Sequence, residues 1–155
     1  MIVLRAMHAG DIAQVMQMAA TLPEAPHWPL SAWGQILAGE GSPLRIALVA
    51  EVLVAEVSAA VVGVAIASVV LEVAELESIA VATQWQRHGV GGRLLKELIA
   101  HCAQAGAQRM TLEVRASNLA AQALYRAQQF VVMRRRQGYY RDPPEDAVVM
   151  ERLLG

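Results

Sequence analysis

Residues 79–92, IAVATQWQRHGVGG, lead from an apolar, strand-like segment through a glycine-rich turn into a helix. The helix is predicted because apolar residues recur at helical spacing from Val90 to Cys102, and Gly106 is a natural stop for it. Glycines let the backbone approach a ligand closely, and a helix start has unpaired N–H groups and a partial positive charge. The turn is therefore a candidate anion site, most often for phosphate, although a helix entry without a ligand has the same pattern.

Two better-known phosphate motifs do not fit this turn. The dinucleotide-binding pattern requires a third glycine three positions after the second, where this chain has Leu94. The nucleoside-triphosphate pattern ends in Gly-Lys-Ser or Gly-Lys-Thr, whereas Gly92 is followed by Arg93 and Leu94. Neither a dinucleotide site nor a nucleoside-triphosphate site is predicted here.

The pattern on both sides of the turn predicts the fold class. Seven strands are expected, over Ile2–Ala6, Ile46–Val57, Val61–Leu71, Glu75–Val81, Arg109–Arg115, Phe130–Met133 and Ala147–Leu153. Helices are expected after Asp11, around Trp33, from Val90 and after Asn118. Because strands come first and a strand-helix-strand-helix-strand run follows, we expect a single α+β or mixed α/β domain over residues 1–155.

Prolines mark two segments that we expect to be irregular. Three prolines between residues 23 and 29 exclude a continuous helix in the loop that carries His27 and Trp28. The segment Tyr139–Asp146 contains two adjacent prolines and is expected to connect the last two strands.

The composition excludes several classes of protein. With 155 residues, 55% of them hydrophobic and 17% charged, the chain can build one core, and disorder is excluded. A formal net charge of −1 gives no general attraction to nucleic acid or to an anionic membrane. No apolar stretch reaches the ~20 residues of a membrane-spanning helix, and the N-terminus lacks a signal-peptide pattern. We therefore expect a soluble, cytoplasmic protein.

The sequence shows no metal-ligand pattern. Cys102 is the single cysteine, so it cannot form an internal disulfide or a thiolate cage, and we expect it in the core. The four histidines show no metal-ligand spacing with one another or with Cys102. No metal cofactor is predicted.

Two residues downstream of the turn are candidates for acid–base chemistry. Glu113 lies in the middle of a strand, where a buried carboxylate is costly unless it is paired or solvated. An ion pair with Arg115 or Arg87 and a general base with a raised pKa are both consistent with that position. Tyr125 lies on the next helix, and a core tyrosine and a proton donor to a leaving thiolate are both consistent with that position. The reference pKa values are ~10 for a phenol and ~8.5 for a thiol.

The run Gln86–Gly91 resembles the acetyl-CoA motif, Gln/Arg-x-x-Gly-x-Gly/Ala, of the GCN5-related N-acetyltransferase (GNAT) superfamily. The runs Leu112–Asn118 and Ala123–Tyr125 are similar to its ribosomal-protein-alanine N-acetyltransferase subgroup. The segments Tyr139–Tyr140 and Glu145–Met150 extend the similarity toward the C-terminus. The resemblance covers Glu75 to Leu154, and the first 70 residues match only in the order of their elements.

The resemblance implies a fold and a co-substrate. The fold is a central, mostly antiparallel sheet that is splayed at the acetyl-CoA site and flanked by helices. Acetyl-CoA would be held by two groups of residues, with Asn118 in contact with the CoA arm. The backbone of Ile79, Ala80 and Val81 would bind the acetyl group and the pantetheine arm, with the Val81 N–H as oxyanion donor. The pyrophosphate would be bound by Arg87, His88, Gly89, Val90, Gly91 and Gly92.

The resemblance also implies a reaction. The expected activity is N-alpha-acetylation of a protein N-terminus, that of a ribosomal protein with N-terminal alanine of the small-subunit S18 type, by direct attack. Glu113 would be the base and Tyr125 the acid, with Glu75 and Glu77 as reserve candidates for the base. Trp28, Tyr139 and Tyr140 would form a wall of the peptide groove. The protein would be a monomer or a weak dimer, with no nucleic-acid or membrane partner.

Alternatives remain open at this point. The chain could acetylate a small amine or a lysine side chain, or it could be a non-catalytic acetyl-CoA-binding module. It also departs from the family pattern: Ala82–Trp85 replaces an Asp-Pro followed by Tyr or Phe, and Gln128-Gln129-Phe130 replaces Leu-Gly-Phe. The missing glycine makes the end of that helix uncertain, since a helix often ends on a glycine with left-handed backbone.

Overall fold

A computed structural model describes residues 1–22 and 28–154. The expected irregular loop through His27 therefore lies outside the described residues, except for Trp28 and Pro29. Within the described part of the chain, no helix is long and apolar enough to span a membrane.

Seven strands form one sheet in the order β1-β2-β3-β4-β5-β7-β6. The strands are β1 (Ile2–Ala6), β2 (Leu44–Ala55), β3 (Ser58–Val70), β4 (Val73–Val81), β5 (Arg109–Arg115), β6 (Val131–Arg141) and β7 (Pro144–Leu153). β4 and β5 run parallel, and the other neighbouring strands run antiparallel. The predicted mostly antiparallel sheet in a mixed α/β fold is confirmed.

Helices cover both faces of this sheet. They are α1 (Ile12–Ala20), α2 (Trp33–Ile36), α3 (Val90–Gln104) and α4 (Leu119–Ala127). The apolar side of α3, with Leu94, Leu95 and Leu98 fully buried, packs on one face, which we call the α3 face. Trp33 and Ile36 of α2 pack with α1 on the opposite face, the α1 face. Each face is thus buried by residues that alternate along the strands.

The apolar core on the α3 face, called the α3 core below, accounts for the predicted burial of Cys102 and for a glycine in β3. Cys102 is fully buried there, as predicted, and burial raises the pKa of its thiol to about 12. Gly63 of β3 lies under the start of α3, where an added Cβ would come within 2.9 Å of Leu94 Cδ1 and 3.2 Å of Val90 Cγ1. The absence of a side chain at Gly63 therefore lets the N-terminal end of α3 lie close to the sheet.

The two parallel strands separate after a short contact. Residues Val73–Glu75 of β4 pair with Arg109–Thr111 of β5, and the pairing stops there although both strands continue. The rest of β4 keeps its pairing with β3, and the rest of β5 keeps its pairing with β7. The result is a gap in the middle of the sheet, which confirms the predicted splay.

A bulge in β4 lies next to this gap. Leu76 is opposite Ala67, whereas Ser78 is opposite Ile66, so Glu77 is an extra residue on β4. Residues an even number apart on a regular strand share a face, but Leu76 belongs to the α3 core and Ala80 to the core on the α1 face. The bulge therefore changes which side chains of β4 point to each face beyond Glu77.

The C-terminal hairpin differs from the prediction. Phe130–Met133 and Ala147–Leu153 were the expected strands, but β6 continues to Arg141 and β7 begins at Pro144. Tyr139 and Tyr140 therefore lie in a strand and not in an irregular segment. The proline does not prevent this, because a residue without an N–H is tolerated at the start of a strand.

Candidate active site

The glycine-rich turn forms a helix N-terminus with free donors. Gly89 is the N-cap of α3 and has left-handed backbone with φ of 79°. The first intrahelical hydrogen bond runs from the Arg93 N–H to the Gly89 carbonyl, at 3.1 Å, so the preceding amides of the first turn have no partner in the helix. No side chain caps this end of α3. Free amides and a helix dipole of this kind favour an anion, and the phosphate site at this turn stays a prediction.

The residues before α3 form the rest of the turn. Arg87 is exposed and also has positive φ, at 66°, which is unusual for a residue with a side chain. His88 is exposed, and its Nδ1 lies 2.9 Å from the Gln86 carbonyl. Val90 is different, because its side chain is buried in the α3 core and only its amide can face a ligand.

Gly91 and Gly92 face α4 and not empty solvent. A Cβ on Gly91 would lie 3.5 Å from Leu124 Cδ2 and 3.7 Å from Val81 Cγ2, which is ordinary contact. The Gln128 amide donates a long hydrogen bond, 3.5 Å, to the Gly92 carbonyl. The first turn of α3 is therefore set beside both β4 and α4.

The edge of β4 that faces the gap has free backbone groups. Ala82 donates its N–H to the Val62 carbonyl of β3 at 2.8 Å. Since alternate residues of an antiparallel strand point their backbone groups to the same side, Val81 and Ile79 point theirs to the opposite side, toward the gap. The Val81 carbonyl there accepts a hydrogen bond of 3.0 Å from the Gln86 side chain, and the Val81 N–H points to the same side of the strand.

Glu113 lies at the gap on the α1 face. Leu112 and Val114 are buried in the α3 core, so the side chain between them points to the opposite face. Glu113 is beyond the last pair of β4 and β5, and its side chain is 26% exposed. Its Oε1 accepts a hydrogen bond of 3.0 Å from Arg136 Nη1 of β6. The predicted ion pair of Glu113 with Arg115 or Arg87 is therefore wrong.

Arg115 has a different role. It pairs with Glu145 at 3.3 Å, donates to the Pro143 carbonyl at 3.0 Å, and lies 4.3 Å over the ring of Tyr140. The Glu145 carboxylate also accepts a hydrogen bond of 2.6 Å from the Ser117 amide. These contacts fasten the turn between β6 and β7 to the end of β5.

The two reserve carboxylates, Glu75 and Glu77, have different surroundings. Arg45 binds both oxygens of Glu77, at 2.6 and 3.2 Å. Burial, together with the charges of Glu77 and Glu113, raises the pKa of Glu75. Glu75 lies at the closed end of the gap, where it pairs with Thr111 of β5. Glu113 is therefore the better placed of the three for a reactant within the gap.

Tyr125 approaches from the other side of the sheet. It belongs to the α3 core with only 6% of its surface exposed, and burial raises its pKa to about 12. The charge of Tyr140 contributes to that rise, and Glu113 in turn contributes to a raised pKa of Tyr140. Glu113 and Tyr125 thus lie on opposite faces of the sheet.

The end of α4 positions Tyr125. The Phe130 amide donates to the Tyr125 carbonyl at 3.0 Å, and the Gln129 amide donates to the Arg126 carbonyl at 2.9 Å. These two bonds form a Schellman motif, and the Phe130 ring packs against the Tyr125 ring with 6.1 Å between centroids. Gln129 has the left-handed backbone of this motif, with φ of 71°, so the missing glycine does not change the geometry.

Asn118 begins the same helix. Its side-chain oxygen accepts a hydrogen bond of 3.1 Å from the Ala121 amide, which confirms the predicted cap. The helix therefore starts directly after β5 turns away from the gap, and Asn118 lies at that junction.

The predicted aromatic wall is divided between two elements. Trp28 lies on the α1 face, in a cavity of about 140 Å³ that Trp33, Ser78 and Ala80 also line. The indole N–H groups of Trp28 and Trp33 have no hydrogen-bond partner among the described residues. Tyr139 and Tyr140 lie on β6 with their rings perpendicular, 5.1 Å apart. The α1 face of the gap is thus flanked by Trp28 on one side and by the β6 tyrosines on the other.

Sequence reasoning missed Arg136, which binds Glu113, and Asp146, which binds the Gly138 amide of the same strand. Successive residues of the run Arg134–Arg136 point to opposite faces of a strand, and the sequence does not identify the strand that pairs with it. Across residues 1–22 and 28–154, no three His, Cys, Asp or Glu side chains are grouped to hold a metal ion.

Comparison with known proteins was made by sequence and by structure. A model of the acetyltransferase (GNAT) family matches residues 19–130 of this chain. The ribosomal protein bS18-alanine N-acetyltransferase of Escherichia coli strain K12 is 46% identical over 83 residues, which are 52% of this chain and 56% of that protein. The chain thus spans about half the length of the curated relatives that it matches.

Solved structures match over nearly the whole chain. The crystal structure of the Escherichia coli ribosomal-protein-S18-alanine N-acetyltransferase is 29% identical, with a TM-score of 0.78, over 100% of this chain and 95% of that one. Arabidopsis thaliana NAA60, crystallised with acetyl-CoA, has a TM-score of 0.86 and 17% identity, with 99% of both chains covered. The second likeness concerns the fold alone.

We predict that Gln129→Gly stabilises the protein. A residue with a side chain pays roughly 1 kcal/mol in left-handed backbone, and glycine does not, so the free energy of unfolding should rise by about 1 kcal/mol. Thermal melting should show an increase of roughly 2–4 °C. Gln104→Gly, at the last residue of α3, is the matched control and should destabilise, because its backbone is helical. Equal effects of the two variants would contradict the prediction.

Proposed function

This chain belongs to the acetyltransferase (GNAT) family, and on that premise we propose that it transfers an acetyl group from acetyl-CoA to a protein N-terminal amine. We further propose that the acceptor is the N-terminal alanine of a ribosomal protein of the S18 type. The carrying observation is the gap between β4 and β5, which has the α3 N-terminus on one face and Glu113 on the other. The names of the sequence relatives support the acceptor class.

The chain's own groups would hold acetyl-CoA in two places. The amides at the start of α3, with exposed Arg87 and His88, would bind the pyrophosphate. The gap-facing backbone of Ile79 and Val81 would bind the pantetheine arm, with the Val81 N–H directed to the thioester oxygen. Acetyl-CoA supplies the thioester carbonyl that the amine attacks.

Glu113 would prepare the amine for that attack. An N-terminal amine has an ordinary pKa of ~7.7–8.0, so a large part of it is protonated at neutral pH and must lose a proton. The Glu113 carboxylate, partly exposed on the α1 face, would accept that proton directly or through a water. The acceptor would enter between Trp28 and the β6 tyrosines.

Tyr125 would act on the sulfur that leaves. Because burial raises its pKa to about 12, the phenol stays protonated and holds its proton more tightly than a thiol with an ordinary pKa of ~8.5. Its main contribution is therefore a hydrogen bond to the developing thiolate, and the buried position makes that bond stronger than it is in water. The presence of both groups at one gap argues against a non-catalytic binding module.

The acceptor assignment is tested with two peptides. One has the N-terminal sequence of ribosomal protein S18, beginning with alanine, and the other is the same peptide with a blocked N-terminus and an added internal lysine. Mass spectrometry should show acetylation of the first peptide only, with equimolar release of CoA. Acetylation of the lysine would favour the alternative acceptor, and acetyl-CoA binding without turnover on either peptide or on small amines would favour a binding module.

Glu113→Gln should lower kcat by about 10²–10⁴-fold, because general-base catalysis contributes that much. The remaining rate should rise with pH up to the pKa of the acceptor amine, since only the free amine then reacts. Glu97→Gln, on the exposed side of α3, is the control and should leave kcat unchanged. A normal Glu113→Gln enzyme together with an impaired Glu75→Gln enzyme would move the base to Glu75.

Tyr125→Phe should keep the ring packing against Phe130 and lose only the hydroxyl. We expect kcat to fall by roughly 10²-fold, the usual effect of removing one donor to a developing charge. The Kd for acetyl-CoA, measured by calorimetry, should stay within twofold of the wild-type value. An unchanged kcat would contradict the catalytic role and indicate that Tyr125 is purely structural.

A further inference from the structure

Two residues of β6 hold the Glu113 carboxylate. Arg136 Nη1 donates to Glu113 Oε1 at 3.0 Å, and the guanidinium of Arg136 lies 4.3 Å over the Tyr139 ring. A hydrogen bond to Glu113 raises the pKa of the Tyr139 phenol. The direction of the Glu113 side chain therefore depends on where β6 places Arg136 and Tyr139.

These two residues lie where the ladder between β6 and β7 is interrupted. Arg136 is opposite Ala147, and Tyr140 is opposite Glu145, so residues 137–139 of β6 face the single residue Asp146 of β7. Gly138, in the middle of this segment, has left-handed backbone with φ of 60°. The segment 136–139 is a bulge, and ladder hydrogen bonds alone do not define its shape.

The side chain of Asp146 supplies the missing bonds. Its Oδ1 accepts from the Gly138 amide at 3.0 Å, and its Oδ2 accepts from Arg135 Nη2 at 3.1 Å. Its own carbonyl accepts from the Ala116 amide at 3.0 Å, directly after β5. One residue therefore connects the end of the strand that carries Glu113 with the bulge that carries Arg136 and Tyr139.

We propose that Asp146 is a positioning residue for Glu113, acting through its hydrogen bond to the Gly138 amide and hence through Arg136 and Tyr139. The inference rests on the proposed function, in which Glu113 is the base. The bond to Gly138 is the important one, because the Arg135 side chain is 58% exposed and a surface ion pair contributes little. A misplacement of about 1 Å at a reacting group can lower a rate by ~10²-fold.

The test compares two substitutions of Asp146. Asp146→Ala removes the acceptor for Gly138 and should lower kcat for the peptide by about tenfold or more, with the Kd for acetyl-CoA unchanged. Asp146→Asn retains an oxygen for the Gly138 amide and should recover most of kcat. Glu151 lies on β7 like Asp146 and pairs with Arg109 of β5 at 3.5 Å. Glu151→Ala removes that pair, is the matched control and should behave like wild type.

Gly138→Ala tests the bulge without touching the charge. An added Cβ meets no atom within 4 Å, but the positive φ is unfavourable for alanine, so the segment should shift and kcat should fall with the acetyl-CoA Kd unchanged. This variant also keeps the proposal open to test if Asp146→Ala does not fold. Wild-type kcat in Asp146→Ala, or equal losses in Asp146→Ala and Asp146→Asn, would overturn the proposal.

A second readout needs no turnover. In Asp146→Ala, the Tyr139 phenol should move away from Glu113, and its pKa, followed by tyrosinate absorbance and assigned with Tyr139→Phe, should fall toward the ordinary value. The other charged groups that act on this phenol are Arg136 and Glu75. If wild type acetylates no peptide, the proposed function fails, whereas an unchanged Tyr139 titration overturns the positioning role alone.

Discussion

The separation of β4 from β5 is the constraint on which the site depends. The strands pair over only three residues of each, and beyond this point the backbone edge of β4 has no strand beside it. Unpaired backbone groups in the middle of a sheet are costly unless another partner satisfies them. Here the Gln86 side chain satisfies the Val81 carbonyl. The gap therefore opens the sheet while most of its hydrogen bonds are retained through β3 and β7.

A gap in the sheet also explains how two faces can serve one reaction. Glu113 points to the α1 face, where an acceptor can enter beside exposed and aromatic residues. Tyr125 is buried on the α3 face, next to the helix whose first amides fit a phosphate. A continuous sheet would keep these groups apart, so the proposed reaction needs the opening between β4 and β5. The Glu113 carboxylate is partly exposed and paired with Arg136, whereas burial raises the pKa of the Tyr125 phenol to about 12.

Two local devices hold the catalytic candidates. The Schellman motif at the end of α4 determines where Tyr125 packs, and it does so with Gln129 in a conformation that usually selects glycine. The bulge in β6, fastened by Asp146, determines where Arg136 and Tyr139 meet Glu113. Both are places where the backbone leaves the regular pattern near a reacting group, which is where proteins commonly retain local strain.

By itself, the sequence determined the elements and their order. The helix from Val90, the strand Arg109–Arg115, the cap at Asn118 and the glycine-rich turn followed from periodicity and turn chemistry, which act over a few residues. Tertiary structure alone decided that Arg136 pairs with Glu113, that Tyr139 and Tyr140 lie in a strand, and that Glu113 and Tyr125 lie on opposite faces. These facts depend on strand register and on the β6 bulge. In the β6–β7 hairpin, the register and the bulge depend on the turn and on how the two strands pair, so the side-chain pattern of one strand was not enough to indicate them.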